Sequence, residues 1–492
     1  MGKGLHFLAA DLGAESGRVM LGRFEGERLT LSEAHRFDSR PVRLPDGLRT
    51  DVLRIFTEIK AGLSAAASLA GGELQGVAVD TWGVDFGLLD AQGALLGNPH
   101  HYRDSLSEGM LQEAFRRVPR EEIFERTGIQ FMAINTLYQL LGLKLRGSAA
   151  LAASRTLLMM PDLFDYWLCG EARGERTIAT TTQCFDPRRG EWAVSLIDKL
   201  GLPSGIFPEI VEPGTVLGGL LPHVADEAGL PRVPVIAAGG HDTALAVAAV
   251  PAAGPGFAYV SSGTWSLLGT ELLEPCINAR SLAANFTNEG GVAGTTRFLK
   301  NVCGLWIIQE ARRSWGRQGT MDSYAELTQM ARAARGWRSL IDVDDPRFGR
   351  PGEMPSRVQE YCRDTAQPVP ESKGEIVRCA LDSLALKYRF VLEQTEALLG
   401  RHLTPLHIVG GGARNDLLCQ LAADATGRPV VAGPVEATAA GNVLMQATAR
   451  GLVGSLQEGR ELIRRSLEIT SYEPRPSPGL DDAYARLLRL MA

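Results

Sequence analysis

Apolar residues come in short blocks along this chain, and the blocks end at polar or glycine punctuation. The first, "LHFLAA" (5–10), stops at Asp11-Leu-Gly. "RVMLGRF" (18–24) and "LTLSEAHRF" (29–37) follow, and the three segments predict strands joined by two hairpins. Residues 51–70 predict a helix, with Asp51 near its start and Gly71-Gly72 closing it. "GVAVD" (76–80) and "VPVIAAG" (233–239) read as buried strands, and a helix is expected from Thr243 to Val250. This alternation of strands and helices predicts an α/β fold.

"PAAGPG" (251–256) is the strongest break in the pattern and divides the chain into 1–250 and 251–492. Directly after it, "FAYVSSGTWSLLGTEL" (257–272) repeats the strand–turn–strand layout of "FLAADLGAESGRVMLG" (7–22). Two similar domains facing one another are therefore expected. Later, "LHIVGGGARND" (406–416) reads as strand, triple glycine and helix, "GPVEATAAGNVLMQATARG" (433–451) as a helix with a small-residue face, and 374–399 as a helix whose packing partner has no local signal.

Composition narrows the field. A length of 492 residues suits two or three domains, at roughly 150–200 residues each. A formal charge of −6 without a Lys/Arg cluster argues against nucleic acid. No apolar run approaches the ~18 residues of a membrane helix. The opening "MGKGLHFLAADLG" reaches polar punctuation too soon for a secretory signal, so the chain is expected in the cytoplasm. Its seven cysteines form no C-x-x-C and read as reduced, buried thiols, with a Cys362–Cys379 disulfide as the alternative. The eight histidines show no zinc-ligand spacing.

Four stretches carry candidate chemistry. In "DLGAESGR" (11–18), Asp11 projects from a strand end, and the glycine turn offers backbone N–H groups to an anion. Asp11 suits Mg²⁺, a hard ion that prefers oxygen. "SSGTW" (261–265) offers three hydroxyls at the matching place in the second half, and "GGGARN" (410–415) lets a flat ligand approach the backbone. For each, an ordinary turn is the competing reading. In "GGHDT" (239–243), Asp242 is a candidate general base that a helix N-terminus would keep ionised, against a buried His–Asp hydrogen bond as the plain alternative. No G-x-S-x-G elbow supports a Ser–His–Asp triad, and no Walker A loop is present.

Taken together and in order, "DLGAESGR", "DTWGVDF", "GGHDT", "SSGTWSL" and "VGGGARND" resemble the FGGY family of carbohydrate kinases over nearly the whole chain. The resemblance implies two actin-like, ribonuclease-H-type α/β domains with a catalytic cleft between them, the first for sugar and phosphate, the second for nucleotide. It implies ATP as co-substrate, Mg²⁺ as the ion, and a monomer or homodimer. Asp242 would be the catalytic base. Gly83, His241, Asp242, Thr243 and Asn301 would meet the sugar. Ala14, Glu15, Ser16, Gly17, Arg18 and Thr264 would surround the ATP phosphates, with Gln309 and Gly411 along the nucleotide and Asp11 holding the metal through waters. Trp82, Asp85 and Asp104 are pocket neighbours, for which core packing or a structural carboxylate is the competing role.

Finer wording, including "TWGVDFGLLD", "GIQFMAINTLYQL", "NFTNEGG", "LKNVCGLW" and "GPVEATAAGN", implies L-rhamnulose as the sugar and O1 as the phosphorylated oxygen. Glu15 departs from the family, which usually has Ser, Thr or Gly there. A carboxylate beside ATP phosphates is repelled at close range, so either the Glu15 side chain points away and only its N–H serves, or it orders Mg²⁺ waters; the backbone role survives both, and Arg18 is present to offset the charge. Two rivals remain at this stage: a family member acting on another ketose or polyol, and an actin-like sensor without turnover. Against the sensor, the first strand begins near residue 5, which leaves no room for a DNA-binding segment, and Asp242 is retained.

Overall fold

A computed structural model of the chain describes residues 4–70 and 73–491. The expected Gly71-Gly72 stop lies outside them. The helix it would close runs Val52–Leu69, and the Asp51 side chain caps its first turn by accepting from the Arg54 amide. The chain folds into two compact units with interleaved segments. The first comprises 1–249, 271–298 and 437–467, and the second 250–270, 299–436 and 468–492.

The first unit is built on a mixed six-stranded sheet. In chain order its strands are β1 (Leu5–Leu12), β2 (Ser16–Glu25), β3 (Arg28–Asp38), β4 (Glu73–Thr81), β5 (Thr215–Gly219) and β6 (Pro234–Ala237), and in space they lie β5-β6-β4-β1-β2-β3. The two expected hairpins are present, since β1 pairs antiparallel with β2 and β2 with β3. β1 also pairs in parallel with β4, which is why seven of its eight residues are buried and why it reads as an unbroken apolar run. Register then places Asp11 beside Asp80, two carboxylates at the ends of neighbouring strands.

After β6 the chain turns through Gly239-Gly240 into the short helix Asp242–Ala248. Gly239 has φ 155°, a conformation that side chains resist. The helix Ala437–Ala449 packs on this one. A Cβ at Gly441 would fall on the Leu245 carbonyl, so only glycine permits the close approach. The small-residue face seen in the sequence is therefore the surface that seats the Asp242 helix. Asn442 and Gln446 from that face reach the sheet. Asn442 donates to Asp80 Oδ2 (2.7 Å) and Gln446 donates to the Leu8 carbonyl (3.0 Å).

The second unit repeats the hairpin theme with β7 (Ala258–Ser262), β8 (Trp265–Leu272), β9 (Leu406–Val409), β10 (Val430–Ala432) and β11 (Thr470–Tyr472). β7 pairs antiparallel with β8 and in parallel with β9, as β1 does with β2 and β4. β10 continues the parallel run and β11 closes it antiparallel. The helix Lys373–Leu399 now has its partners: Tyr388 bonds Ser266 Oγ of β8 (2.7 Å), and Gly374 approaches the Met330 carbonyl of the helix Tyr324–Ala333. Cys362 and Cys379 are buried free thiols, as are Cys184, Cys303 and Cys419. Among the described residues no helix is long and apolar enough to cross a membrane.

Candidate active site

In the first unit the candidates gather at one end of the sheet. Asp11, near the end of β1, is 7 % exposed and is bridged by Arg18 of β2 at 2.7 Å. Gly13, Ala14 and Glu15 turn between them, with the Gly13 amide bonded to the Ser16 carbonyl (3.0 Å). Ser39 fastens this turn from below, its hydroxyl to the Gly13 carbonyl (2.6 Å) and its amide to the Glu15 carbonyl (3.2 Å). Gly17 is required for packing, since a Cβ there would enter the Phe37 ring.

On the neighbouring strand ends lie Asp80, Gly83 and the 239–243 turn. The Thr81 amide donates to the Gly240 carbonyl (2.9 Å), which joins β4 to that turn. A Cβ at Gly83 would sit 3.3 Å from Thr181, so the backbone runs close to the helix Arg176–Thr180 and its cap. The next residue, Val84, adopts φ 71°, an outlier for a β-branched side chain. Such strain costs about 1–3 kcal/mol and persists where surrounding bonds impose it. Here Val84 N donates to Thr181 Oγ1 (3.2 Å), while its carbonyl accepts from Thr136 (2.7 Å) and Gln139 (3.2 Å).

Asp242 is the first residue of its helix, one position earlier than the sequence pattern suggests. Oδ1 accepts from the Thr243 amide (2.5 Å) and the Thr243 hydroxyl (3.1 Å), which leaves Oδ2 outside these bonds. The side chain keeps 31 % of its surface exposed. Burial and the Asp11 carboxylate push its pKa up to about 7, against the pull of the Thr243 bonds. The helix start thus acts in the expected direction and is outweighed, so Asp242 is poised near neutrality rather than held firmly ionised. Burial and Asp11 also push the Asp80 carboxyl well above the carboxylate range.

This carboxylate group bears on metal binding. Among the described residues no three acidic, His or Cys side chains converge closely enough to hold an ion directly. Yet Asp80 Oδ1 is buried without a hydrogen-bond partner, and Asp11 raises the proton affinity of both Asp80 and Asp242. A divalent cation sharing waters with Asp11 would relieve that repulsion, and oxygen donors suit a hard ion.

The three pocket neighbours are tied into their surroundings by hydrogen bonds. Trp82 is 6 % exposed and donates Nε1 to Asp85 Oδ2 (2.9 Å), while Gln139 reaches Oδ1 (3.4 Å). Burial pushes the Asp85 carboxyl up to about 7, so it is no solvated carboxylate. Asp104 accepts from the Leu48 (2.5 Å) and Leu106 (2.9 Å) amides and so fixes two loops.

In the second unit, Thr264 lies in the β7–β8 turn and donates to Gln309 Oε1 (3.1 Å) of the helix Trp306–Arg317. The Thr264 carbonyl accepts from the amides of Gly304 and Trp306, both at 3.2 Å. Gly410, with φ 81°, and Gly412 lie against Ser262 of β7, which draws Gly411 to the same turn. A Cβ on Gly411 would meet nothing within 4 Å, so its face is open. Asn301 is half-buried on the strand Thr296–Cys303, three residues before Gly304.

Sequence reasoning did not single out Asp80, Glu175, Glu289, Arg297 or Asn442. Asp80 had a signal, because it ends an apolar run as Asp11 does. Glu175 is buried and accepts from the Gly240 amide (2.7 Å), so it supports the His241 turn from the N-cap of the helix Arg176–Thr180.

Solved structures share this architecture. Gluconate kinase from Lactobacillus acidophilus superposes with a TM-score of 0.80 at 17 % identity, covering 99 % of this chain and 96 % of its own. Ligand-bound xylulose kinase from the same organism gives 0.78 at 17 %, with the same coverage. The fold is that of two-domain α/β sugar kinases, an actin-like ATPase fold.

The particular family follows from sequence. Residues 7–249 match the N-terminal domain of the FGGY family of carbohydrate kinases, and residues 258–450 match its C-terminal domain. This chain belongs to that family. Its relatives include a rhamnulokinase of Bacteroides thetaiotaomicron, 45 % identical over 479 residues that cover 97 % of this chain and 98 % of the relative. A rhamnulokinase of Enterococcus faecalis is 41 % identical over 473 residues, covering 96 % and 94 %.

Proposed function

We propose that this chain transfers the γ-phosphoryl group of ATP to O1 of L-rhamnulose, giving L-rhamnulose 1-phosphate and ADP, as a step of L-rhamnose breakdown in the cytoplasm. The single observation that carries the chemistry is Asp242: a half-open carboxylate with one oxygen fixed by Thr243 and a pKa near 7, as a general base at neutral pH requires. The names of the full-length relatives support the choice of sugar.

In this reading, residues 1–250 take the sugar and the phosphates, and 251–492 take the nucleotide. Gly83, His241 and Thr243 contact the sugar, with Asn301 from the second part. Oδ2 of Asp242 accepts the proton of the O1 hydroxyl as that oxygen attacks the γ-phosphorus in line. The bond from the γ-phosphorus to the bridging oxygen breaks, and ADP leaves with its electron pair. The turn from Ala14 through Glu15, Ser16 and Gly17 turns backbone N–H groups to the phosphates, and Arg18 and Thr264 add donors. Gln309 and Gly411 border the nucleotide. Asp11 would hold Mg²⁺ through waters, and the bound ion would supply charge neutralisation at the phosphates.

The test is ADP release from MgATP, coupled to NADH oxidation, across a panel of ketoses and polyols, with the wild type and Asp242→Asn. Strong turnover on L-rhamnulose is expected, with kcat lower by about a thousandfold in the variant, since a positioned base contributes roughly 10²–10⁴. A fully active variant removes Asp242 as the base. Preference for another sugar removes L-rhamnulose and leaves the kinase.

A further inference from the structure

Behind His241 the first unit buries a charge pair that the transfer step leaves unused. Arg297, on the strand Thr296–Cys303, has no exposed surface, and Glu289 is 5 % exposed. Arginine is almost never fully buried unless paired. Its fork here faces three groups, hydrogen-bonded to two and ion-paired with the third. Nε donates to the Gly290 carbonyl (2.9 Å), one terminal nitrogen lies 3.2 Å from Glu289 Oε2, and the other lies 2.9 Å from His241 Nδ1.

The last contact decides the state of the imidazole. Nδ1 has two polar neighbours, this guanidinium nitrogen at 2.9 Å and Glu289 Oε2 at 3.5 Å; the nearer has N–H donors and no acceptor, so the ring nitrogen offers it a lone pair. The single proton of a neutral imidazole then resides on Nε2. Nε2 is the atom that faces the base, 3.4 Å from Asp242 Oδ1. The doubly protonated ring is disfavoured too, because burial and Arg297 hold His241 well below its ordinary pKa. The backbone is fixed as firmly: the His241 amide donates to Thr177 Oγ1 (3.2 Å), next to the Gly240–Glu175 bond. A pair needed only for packing would turn its hydrogen bonds on Glu289, whereas here that contact is an ion pair without one. The third arm of the fork, aimed at Nδ1, is what the packing role does not require.

We infer that Arg297, paired with Glu289, is a positioning residue for phosphoryl transfer: it locks His241 as the Nε2–H tautomer and thereby sets an N–H dipole beside the Asp242 carboxylate. In the opposite tautomer a lone pair would face that carboxylate and repel its charge. The positioning role rests on Asp242 being the base, whereas the tautomer does not.

The experiment has two arms. The full chain is labelled with [¹⁵N]histidine, and its ring nitrogens are observed by long-range ¹H–¹⁵N correlation, with His241 assigned by the signal lost in His241→Gln. A pyridine-like Nδ1 and a pyrrole-like Nε2 are expected. A pyrrole-like Nδ1, or two protonated nitrogens, overturns the inference even if no Arg297 variant folds. In the second arm, Arg297→Lys keeps the charge but not the fork. It should lower kcat by about tenfold or more through misplacement of the reacting groups, leave KM for MgATP within about twofold, and show mixed His241 tautomers. Mixed tautomers with unchanged kcat overturn the positioning role. Loss of the Asp242 reading shows separately, as an active Asp242→Asn variant, and leaves the ring spectrum untouched.

Discussion

The two hairpins that open the two units share a layout and differ in chemistry. β1 and β7 each pair antiparallel with the next strand and in parallel with a later one. The first turn carries the Asp11–Arg18 ion pair, with Asp80 and Asp242 close enough to feel Asp11. The second carries neutral bonds, Thr264 to Gln309 and Ser266 to Tyr388. One backbone solution therefore serves two tasks. In the proposed reaction, charge is concentrated where a proton would move and phosphate charge would be balanced, and hydroxyls and glycines serve where a ligand would only be held.

The largest expected contrast comes from removing one group from each turn. Asp11→Asn should lower kcat by about 10–100-fold, the cost of losing a group that orients a metal's waters. Thr264→Val should raise KM for MgATP by about fivefold and spare kcat, since one neutral hydrogen bond contributes about 1 kcal/mol. Steady-state kinetics on both variants check this. Equal losses in kcat would end the division of labour between the turns.

The pH profile probes the charged turn alone. In the proposed reaction Asp242 works as a carboxylate, and its pKa is raised to about 7. For the free enzyme, kcat/KM for the sugar should be level above that value and fall by about tenfold per pH unit below it. Stability has the opposite sign. A raised carboxyl pKa favours the folded state below the unfolded value and loses that contribution as pH rises through the folded one. Asp242→Asn should therefore gain more in Tm at pH 8 than at pH 5. Thermal unfolding at the two pH values checks it, and an equal gain at both contradicts the shift.

Much of this arrangement is visible in local sequence. Asp11 and Asp242 stand out because each is a carboxylate at the end of an apolar run, and the repeated hairpin is visible because both copies are short and bounded by glycine. The helix-dipole argument for Asp242 named a real contribution, yet local sequence does not show that Asp11 and burial oppose it. Contacts between distant segments leave no such mark. His241 and Arg297 are 56 residues apart, and Asp80 and Asn442 are 362 apart. Asn442 looks like one polar residue in a small-residue helix until Gly441 is seen against the Leu245 carbonyl. The return of 437–467 to the first unit is a matter of shape between surfaces, which a periodicity cannot express.

The neutral turn is tested through two adjacent glycines. A Cβ on Gly412 would strike Ser262 Oγ, whereas one on Gly411 would meet nothing. Gly412→Ala should destabilise the chain by about 1–3 kcal/mol through overpacking. Gly411→Ala should leave Tm unchanged or slightly higher, because alanine narrows the unfolded ensemble, while weakening ATP binding where the ligand would touch the new methyl. Thermal unfolding with and without nucleotide separates the two. A nucleotide-blind Gly411→Ala would remove that glycine from the ATP path.

The smallest effect concerns Glu15, the one acidic side chain within the turn proposed to face the phosphates. The Arg40 guanidinium, held above its ordinary pKa chiefly by its bond to Asp38, also feels the Glu15 carboxylate. The Glu15 charge is thus partly offset. In water a unit charge about 4 Å away contributes roughly 1 kcal/mol, and sharing with Arg40 and greater distance reduce that. Glu15→Gln should therefore lower KM for MgATP by only about two- to threefold, with kcat unchanged. The gain should shrink between low and physiological salt, because exposed charges are screened over about 8–10 Å. Measuring KM at two ionic strengths checks both the sign and the cause. A rise in KM would mean that the Glu15 carboxylate helps order the metal's waters, and the charge in the first turn would then extend from Asp11 to the tip of the hairpin.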